Sequence, residues 1–125
     1  MRPKSDTLTG QELEIMKVIW PRGQATVREV YDDLRAGREI AYTTVQTMMN
    51  ILETKGHLKR EAGEKAHVYS PVRPQDAVVK SMVREFVDRV FDGSARPLLV
   101  HLLKEKGLTA RERRELQKLL DKEER

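Results

Sequence analysis

Three copies of the pattern Thr-x-x-Glu begin at Thr9, Thr26 and Thr109, and they constrain the fold more than any other sequence feature. In this capping box the threonine hydroxyl accepts a hydrogen bond from the backbone N–H three residues on. The glutamate carboxylate accepts one from the backbone N–H of the threonine. Hydrophobic residues at helical spacing follow each copy. The sequence therefore predicts three helices that begin at these positions.

The boundaries of the first three helices follow from breakers and spacing. The first is expected to end at Pro21, because proline lacks a backbone donor and clashes with the preceding turn. The second is expected to cover about Val27–Ala36. A third is expected over about Tyr42–Lys55, although no capping side chain precedes it.

After Gly56 the pattern shortens to the alternation of a two-stranded hairpin, in which HLKREA and AHVYSPV flank GEK. Pro71 and Pro74 follow, and then three further amphipathic helices. The predicted fold class is mainly α with a small β-hairpin wing: a winged helix-turn-helix in residues 1–73, followed by a helical dimerisation domain in residues 74–125.

The last roughly 50 residues are too few to bury a sufficient core alone, yet they present apolar faces. A second copy of the chain would cover those faces, so a homodimer is expected. The residues expected at the dimer interface are Val79, Met82, Val83, Phe86, Val90, Leu98, Leu99, Leu102, Leu103, Leu116, Leu119 and Leu120.

Residues 40–52, IAYTTVQTMMNIL, carry no charge, although 35% of the chain is Asp, Glu, Lys or Arg. On the predicted third helix, apolar residues face inward, and Thr, Gln and Asn occupy the opposite face. A solvated face of this chain would be expected to carry Glu and Lys. Gln and Asn can pair with adenine, and the Thr methyl can contact the thymine methyl. This face therefore predicts contact with base edges in the DNA major groove.

The neighbouring elements favour the same interpretation. A helix-turn-helix places its second helix in the major groove, and a basic hairpin beside it can contact phosphates. The residues predicted to contact the backbone are Tyr42, Asn50, Lys59, Arg60, Lys65 and His67. For Tyr42, two roles remain open, a contact at the groove entrance or a cover over the helix start.

Composition and motifs argue against other classes of protein. The chain has no cysteine, and its three histidines lack the short spacing of metal ligands, so no metal and no cofactor are expected. Without a Gly-rich phosphate loop or a nucleophile elbow, it is predicted not to be an enzyme. A cytoplasmic protein without membrane insertion is expected, because no secretory signal and no long apolar run are present.

Four stretches, LTGQELEIMKVIW, TVREVYDDL, AYTTVQTMMNILETKGHLKRE and AHVYSPV, resemble the penicillinase-repressor family, the BlaI/MecI type of bacterial repressor. The resemblance extends from about Leu8 to Leu120. It implies a dimeric winged-helix transcriptional repressor that binds palindromic operators built from TGTA/TACA-like elements, with the C-terminal helices interlocked. By position, the base-reading residues of the family fall on Thr43, Thr44, Gln46 and Thr47.

The resemblance also implies a route of inactivation. Family members induced by β-lactam are inactivated when a membrane-bound sensor metalloprotease triggers cleavage of an Asn-Phe bond in the C-terminal domain. The matching position here is His101-Leu102, which departs from that pattern. Copper-responsive relatives carry a cysteine cluster, which this chain lacks.

One alternative function belongs to a different class. A winged helix can be a protein–protein interaction module without sequence-specific DNA binding. The two functions differ in their salt dependence, because displaced counterions make DNA binding weaken steeply as salt rises.

Overall fold

The computed structural model describes residues 7–105 and 107–123, and its element order confirms the predicted fold class. Three helices precede an antiparallel two-stranded hairpin, and three helices follow it. The elements are α1 (Gly10–Arg22), α2 (Val27–Arg35), α3 (Tyr42–Thr54), β1 (Leu58–Ala62), β2 (His67–Pro71), α4 (Gln75–Phe91), α5 (Arg96–Glu105) and α6 (Ala110–Glu123). In the hairpin, Leu58 pairs with Pro71, and Ala62 pairs with His67.

All three predicted capping boxes form. At Thr9 the hydroxyl accepts from the backbone N–H of Glu12 at 3.1 Å, and the Glu12 carboxylate accepts from the backbone N–H of Thr9 at 2.9 Å. The same reciprocal pair of bonds is present at Thr26 and at Thr109. Because these bonds involve residues only three apart, the local sequence was sufficient to predict them.

The end of α1 corrects the sequence prediction, because Pro21 lies inside the last turn and the helix continues to Arg22. Proline lacks the backbone N–H that would bond the carbonyl four residues earlier, so α1 loses that hydrogen bond and continues for only one residue beyond Pro21. The helix ends at Gly23, whose φ of 80° lies in the region that favours glycine. The backbone N–H of Gly23 donates to the carbonyls of Ile19 and Trp20, as in a glycine C-cap.

Contacts divide the chain into two units, Met1–Val83 and Arg84–Arg125. In the first unit the helices α1, α2 and α3 pack with the hairpin around one core. Its fully buried side chains include Ile15, Met16, Ile19, Val30, Val45, Met49 and Leu52. Ala25 adds a short β-bridge to the hairpin through paired backbone hydrogen bonds with Tyr69, of 2.8 and 2.9 Å.

The first half of α4 belongs to this first unit. Val78 is fully buried in its core, and Met82 packs against the core as a half-buried residue. The Trp20 indole N–H donates to the carbonyl of Arg73 at 3.2 Å, which ties the entrance of α4 to α1. The division into functional domains at residues 73 and 74 stays a prediction.

The second unit comprises the end of α4 together with α5 and α6. Phe86 and Phe91 pack edge to face, with ring centroids 5.9 Å apart. No described side chain of α5 or α6 is buried within the single chain. Large apolar residues such as Leu99 and Leu119 are 51% and 60% exposed. None of the residues predicted to lie at a dimer interface is buried.

An ion pair holds the end of α3 against the start of α1. The Glu12 side chain is buried, and the Lys55 ammonium donates to its two carboxylate oxygens at 2.8 and 3.0 Å. Burial alone would raise the pKa of Glu12, but the hydrogen bonds from Lys55 and from the backbone N–H of Thr9 outweigh it. The pKa of Glu12 therefore lies below its ordinary value.

Candidate nucleic-acid interface

The two faces of α3 separate as its sequence pattern predicts. Val45, Met49 and Leu52 are fully buried in the core. Their spacing of four and three residues places them on one side of the helix, which turns the uncharged polar residues outward. We call the exposed residues Thr43, Thr44, Gln46 and Thr47 the reading face. Its four side chains lie in the first half of α3.

The start of α3 differs from the capped starts of α1, α2 and α6. Ala41 is at its N-cap position, so no side chain there bonds a backbone N–H group, and the first turn contains no acidic residue. The first N–H groups of a helix and the positive end of its dipole favour acceptors and anions. This end of the helix is therefore open to an acceptor from outside the chain.

A groove of about 440 Å³ lies between the start of α3 and the tip of the hairpin. It brings together four predicted DNA-contacting residues, Tyr42 and Gln46 from α3 and Lys65 and His67 from the wing. A second groove of about 440 Å³ runs along the outer side of α3. It is lined by Thr47, Asn50, Ile51, Thr54 and Lys55. Of the predicted site residues on α3, Tyr42, Gln46, Thr47 and Asn50 thus face one of the two grooves, whereas the exposed Thr43 and Thr44 line neither.

The other basic wing residues, Lys59 and Arg60, line neither groove. Lys59 is 3.3 Å from Glu61, and Arg60 is 3.6 Å from Glu53. Exposed pairs of this kind contribute little, so a phosphate can replace the carboxylate at small cost. Both side chains remain available to an anionic ligand.

Asn50 is held by the wing. The hydroxyl of the buried Tyr69 donates to the Asn50 side-chain carbonyl at 2.9 Å. This bond directs the amide group of Asn50 and leaves its N–H donors for an outside acceptor. The sequence pattern did not predict this bond, because Tyr69 and Asn50 are 19 positions apart.

The sequence interpretation missed a cationic and aromatic cluster on α2. The Arg28 and Arg35 guanidinium carbons lie 5.7 and 5.3 Å from the centroid of the Tyr31 ring. Tyr31 packs edge to face against Tyr42, with centroids 5.4 Å apart, and Arg28 also lines the groove beside Gln46. The spacing Arg-x-x-Tyr-x-x-x-Arg on one helix face was the signal that could have revealed it.

Within residues 7–105 and 107–123, no three His, Asp or Glu residues form a group that could hold a metal ion. None of the helices in that part of the chain is both long enough and apolar enough to cross a bilayer.

Comparison with known proteins places these features in a family context. The family model described as penicillinase repressor matches residues 8–122. Transcriptional regulator BlaI of Mycobacterium tuberculosis (strain ATCC 25618 / H37Rv) is 34% identical over 98 residues, which cover 77% of this chain and 71% of that protein. The penicillinase repressor of Bacillus licheniformis is 27% identical over 118 residues, with coverage of 94% and 92%.

A solved structure shares the fold. The solution structure of the monomeric form of Bacillus licheniformis BlaI in complex with the blaP half-operator matches with a TM-score of 0.50 and 31% identity. The match covers 56% of this chain and 85% of that one.

Proposed function

Because the chain belongs to the penicillinase repressor family, we propose that it is a transcriptional repressor that binds a palindromic, TGTA/TACA-like operator as a homodimer. The observation that carries this proposal is the reading face of α3. It is exposed and free of charge in a chain of which 35% is charged, and it adjoins a groove that contains Lys65 and His67.

The geometry suits a division between base and backbone contacts. Gln46 can donate to and accept from adenine, and the methyl groups of the three threonines can contact thymine methyls. Lys59, Arg60, Lys65 and His67 of the wing are proposed to contact phosphates, and such contacts position the protein without reading the sequence. Tyr42 and Asn50 border the reading face and are proposed to contact the backbone.

The exposed apolar faces of the C-terminal helices support the homodimer. Large side chains such as Val83, Leu99 and Leu119 are at least half exposed in the single chain, and a second copy would remove them from water. Dimerisation links two reading helices, so that binding of the second half-site becomes intramolecular. Operator affinity in this proposal depends on the C-terminal helices, although they contact no DNA.

Loss of those helices would therefore release the operator, and proteolysis in the C-terminal domain is the proposed route. His101 and Leu102 are exposed and lie within α5, so a protease would have to unwind the helix locally before cutting that bond. A membrane-bound sensor metalloprotease is the partner class that the family implies. If the purified repressor stays intact and dimeric after incubation with a cognate sensor, the cleavage proposal is wrong.

The function is tested by fluorescence anisotropy on a labelled duplex that carries a TGTA/TACA palindrome and on a scrambled duplex of equal composition. We expect at least about a hundredfold preference for the palindrome and a steep decrease of affinity with salt. Equal and weak binding to both duplexes would contradict the proposal.

Variants separate the two kinds of contact. Thr43→Ala and Gln46→Ala should reduce discrimination between the duplexes, because they remove base contacts. Lys59→Ala and Arg60→Ala should weaken binding to both duplexes alike, because phosphate contacts carry no sequence information. Identical behaviour of the two sets would overturn the assignment of the reading face.

A further inference from the structure

The solvent face of α2 holds two arginines in an unusual arrangement. The guanidinium groups of Arg28 and Arg35 lie within 6 Å of the centroid of the same ring, that of Tyr31. They share one carboxylate, Asp32, at 3.5 Å from each. Two cations and one anion leave this cluster with a local excess of one positive charge.

Among the described residues, the two guanidinium groups have one acidic partner, Asp32, at the long distance of 3.5 Å from each. Arg22 and Arg38, by contrast, make short bonds with both oxygens of a carboxylate, at 2.8–3.2 Å to Asp33 and Glu14 respectively. In the part of the chain that the structure describes, the guanidinium groups of Arg28 and Arg35 donate no such hydrogen bond. Each can therefore present several N–H groups to an external anion.

The position of the cluster indicates which anion. Tyr31 contacts Tyr42, the first residue of the reading helix, and Arg28 lines the groove that also contains Gln46 and Lys65. In a helix-turn-helix the first helix crosses the DNA backbone while the second lies in the major groove. Guanidinium groups bind phosphate with two parallel hydrogen bonds.

We propose that Arg28 and Arg35 form a phosphate clamp that grips the DNA strand beside the reading helix, and that Tyr31 is the positioning residue that holds both guanidinium groups ready. This inference rests on the DNA-binding function proposed above and adds contacts from α2 to those of α3 and the wing.

The ring of Tyr31 holds the guanidinium groups of Arg28 and Arg35 in place before DNA binds. An arginine side chain normally loses several rotamers when it binds, whereas a guanidinium that already lies near an aromatic ring loses fewer. The same ring packs against Tyr42, so the clamp is fixed relative to the start of the reading helix. The Tyr31–Tyr42 contact thereby links phosphate binding to the placement of Thr43 and Gln46.

The test measures affinity for the palindromic and the scrambled duplex over a range of KCl concentrations, with the full chain. The double variant Arg28→Gln/Arg35→Gln should lose roughly tenfold or more in affinity for both duplexes, because it removes charge-assisted bonds. The slope of log affinity against log salt should become shallower by about 2 per protomer, one for each lost phosphate contact. The preference for the palindrome should stay unchanged.

A charge-matched control is Arg22→Gln/Arg113→Gln. Arg22 pairs with Asp33 on the other side of α2, and Arg113 lies on α6, so neither belongs to the clamp. This control removes the same net charge and should leave the salt slope nearly unchanged. An equal change of slope in both double variants would overturn the clamp, because it would show only a general effect of charge.

The role of Tyr31 is tested by a conservative pair. Tyr31→Phe keeps the aromatic face and should retain affinity and slope, whereas Tyr31→Leu keeps apolar volume without that face and should weaken binding to both duplexes. If Tyr31→Leu binds as the parent does, Tyr31 does not position the clamp.

Failure of the clamp and failure of the proposed function give different results. A parent protein that prefers the palindrome, with a salt slope insensitive to Arg28→Gln/Arg35→Gln, would overturn the clamp alone. A parent protein that binds neither duplex would overturn the proposed function and the clamp with it.

Discussion

The two units of this chain are both largely helical, but they differ in the burial of their apolar side chains. In Met1–Val83, side chains from three helices and the hairpin are removed from water around one core. In Arg84–Arg125, leucines and valines of comparable size remain exposed, and α5 has no buried residue. Amphipathic helices alone do not make a core, because each apolar face needs an opposing surface. The first unit supplies that surface itself, and the second is proposed to obtain it from another copy.

The largest expected effect tests whether a second copy covers the exposed apolar residues of the second unit. Leu119→Glu would place an unpaired charge among apolar side chains if the dimer forms, and should raise the dimer dissociation constant by about a hundredfold or more. Operator affinity should fall with it. Analytical ultracentrifugation measures the first effect, and anisotropy measures the second. Lys118→Glu, on the neighbouring residue of α6, is the matched control. An unchanged dimer in Leu119→Glu would exclude this face from the interface.

Truncation of one large apolar side chain to alanine in each unit tests whether only the first unit has a core. Met49→Ala opens a cavity in the first core and should lower the free energy of unfolding by about 2–5 kcal/mol. Leu103→Ala, measured at concentrations where the chain is monomeric, should change the unfolding of the first unit by less than about 0.5 kcal/mol. Trp20 is the only tryptophan and lies in the first unit, so its fluorescence in a urea titration follows that unit. Similar losses in the two variants would show that the two units unfold together, so that the second unit also contributes to the stability of the first.

The Glu12–Lys55 pair predicts a pH dependence confined to the first unit. Because the pKa of Glu12 is lowered on folding, its contribution is fully present above the unfolded-chain value of about 4.3, and it is lost as pH falls through the folded pKa. Lys55→Met leaves the buried carboxylate without its cation and should cost about 1–3 kcal/mol at pH 7. That cost should shrink as pH falls toward the folded pKa of Glu12, because the carboxylate of the variant, without Lys55, takes up a proton more readily and then no longer buries a charge.

Trp20 fluorescence in urea at several pH values measures this dependence. Glu12→Gln is the control, because glutamine does not titrate. In this variant the free energy of unfolding should vary less with pH over the same acid range. A cost of Lys55→Met that does not vary with pH would contradict the assigned role of the pair.

The smallest expected effect is the loss of a capping box, at Thr26 in the first unit or at Thr109 in the second. Thr26→Ala removes the cap of α2 and should lower the stability of the first unit by about 1 kcal/mol. Thr109→Ala removes an equivalent capping box from α6 and should leave the Trp20 transition unchanged, because α6 belongs to the other unit. Equal shifts of the Trp20 transition would show that the two units unfold together.

The sequence predicted those features that depend on neighbours within a few positions. The capping boxes, the hairpin and the two faces of α3 are of this kind, since spacing alone places the interacting residues. Pro21 was predicted to end α1, but the helix continues to Arg22. It ends at Gly23, whose positive φ suits a glycine cap. Contacts between distant residues left no local signal. The bond from Tyr69 to Asn50 spans 19 positions, and the pair of Lys55 with Glu12 spans 43.

The attachment of Tyr69 to both Ala25 and Asn50 has a consequence for the shape of the DNA that fits the proposed interface. Its backbone is paired with Ala25, and its hydroxyl bonds Asn50, so the wing is fastened to both the loop before α2 and the reading helix. The distance between helix and wing is therefore set before DNA arrives. An operator whose groove width does not match that distance must itself deform, and the cost depends on the flexibility of its base steps. Base pairs that no side chain contacts should thus contribute to selectivity through the shape of the duplex.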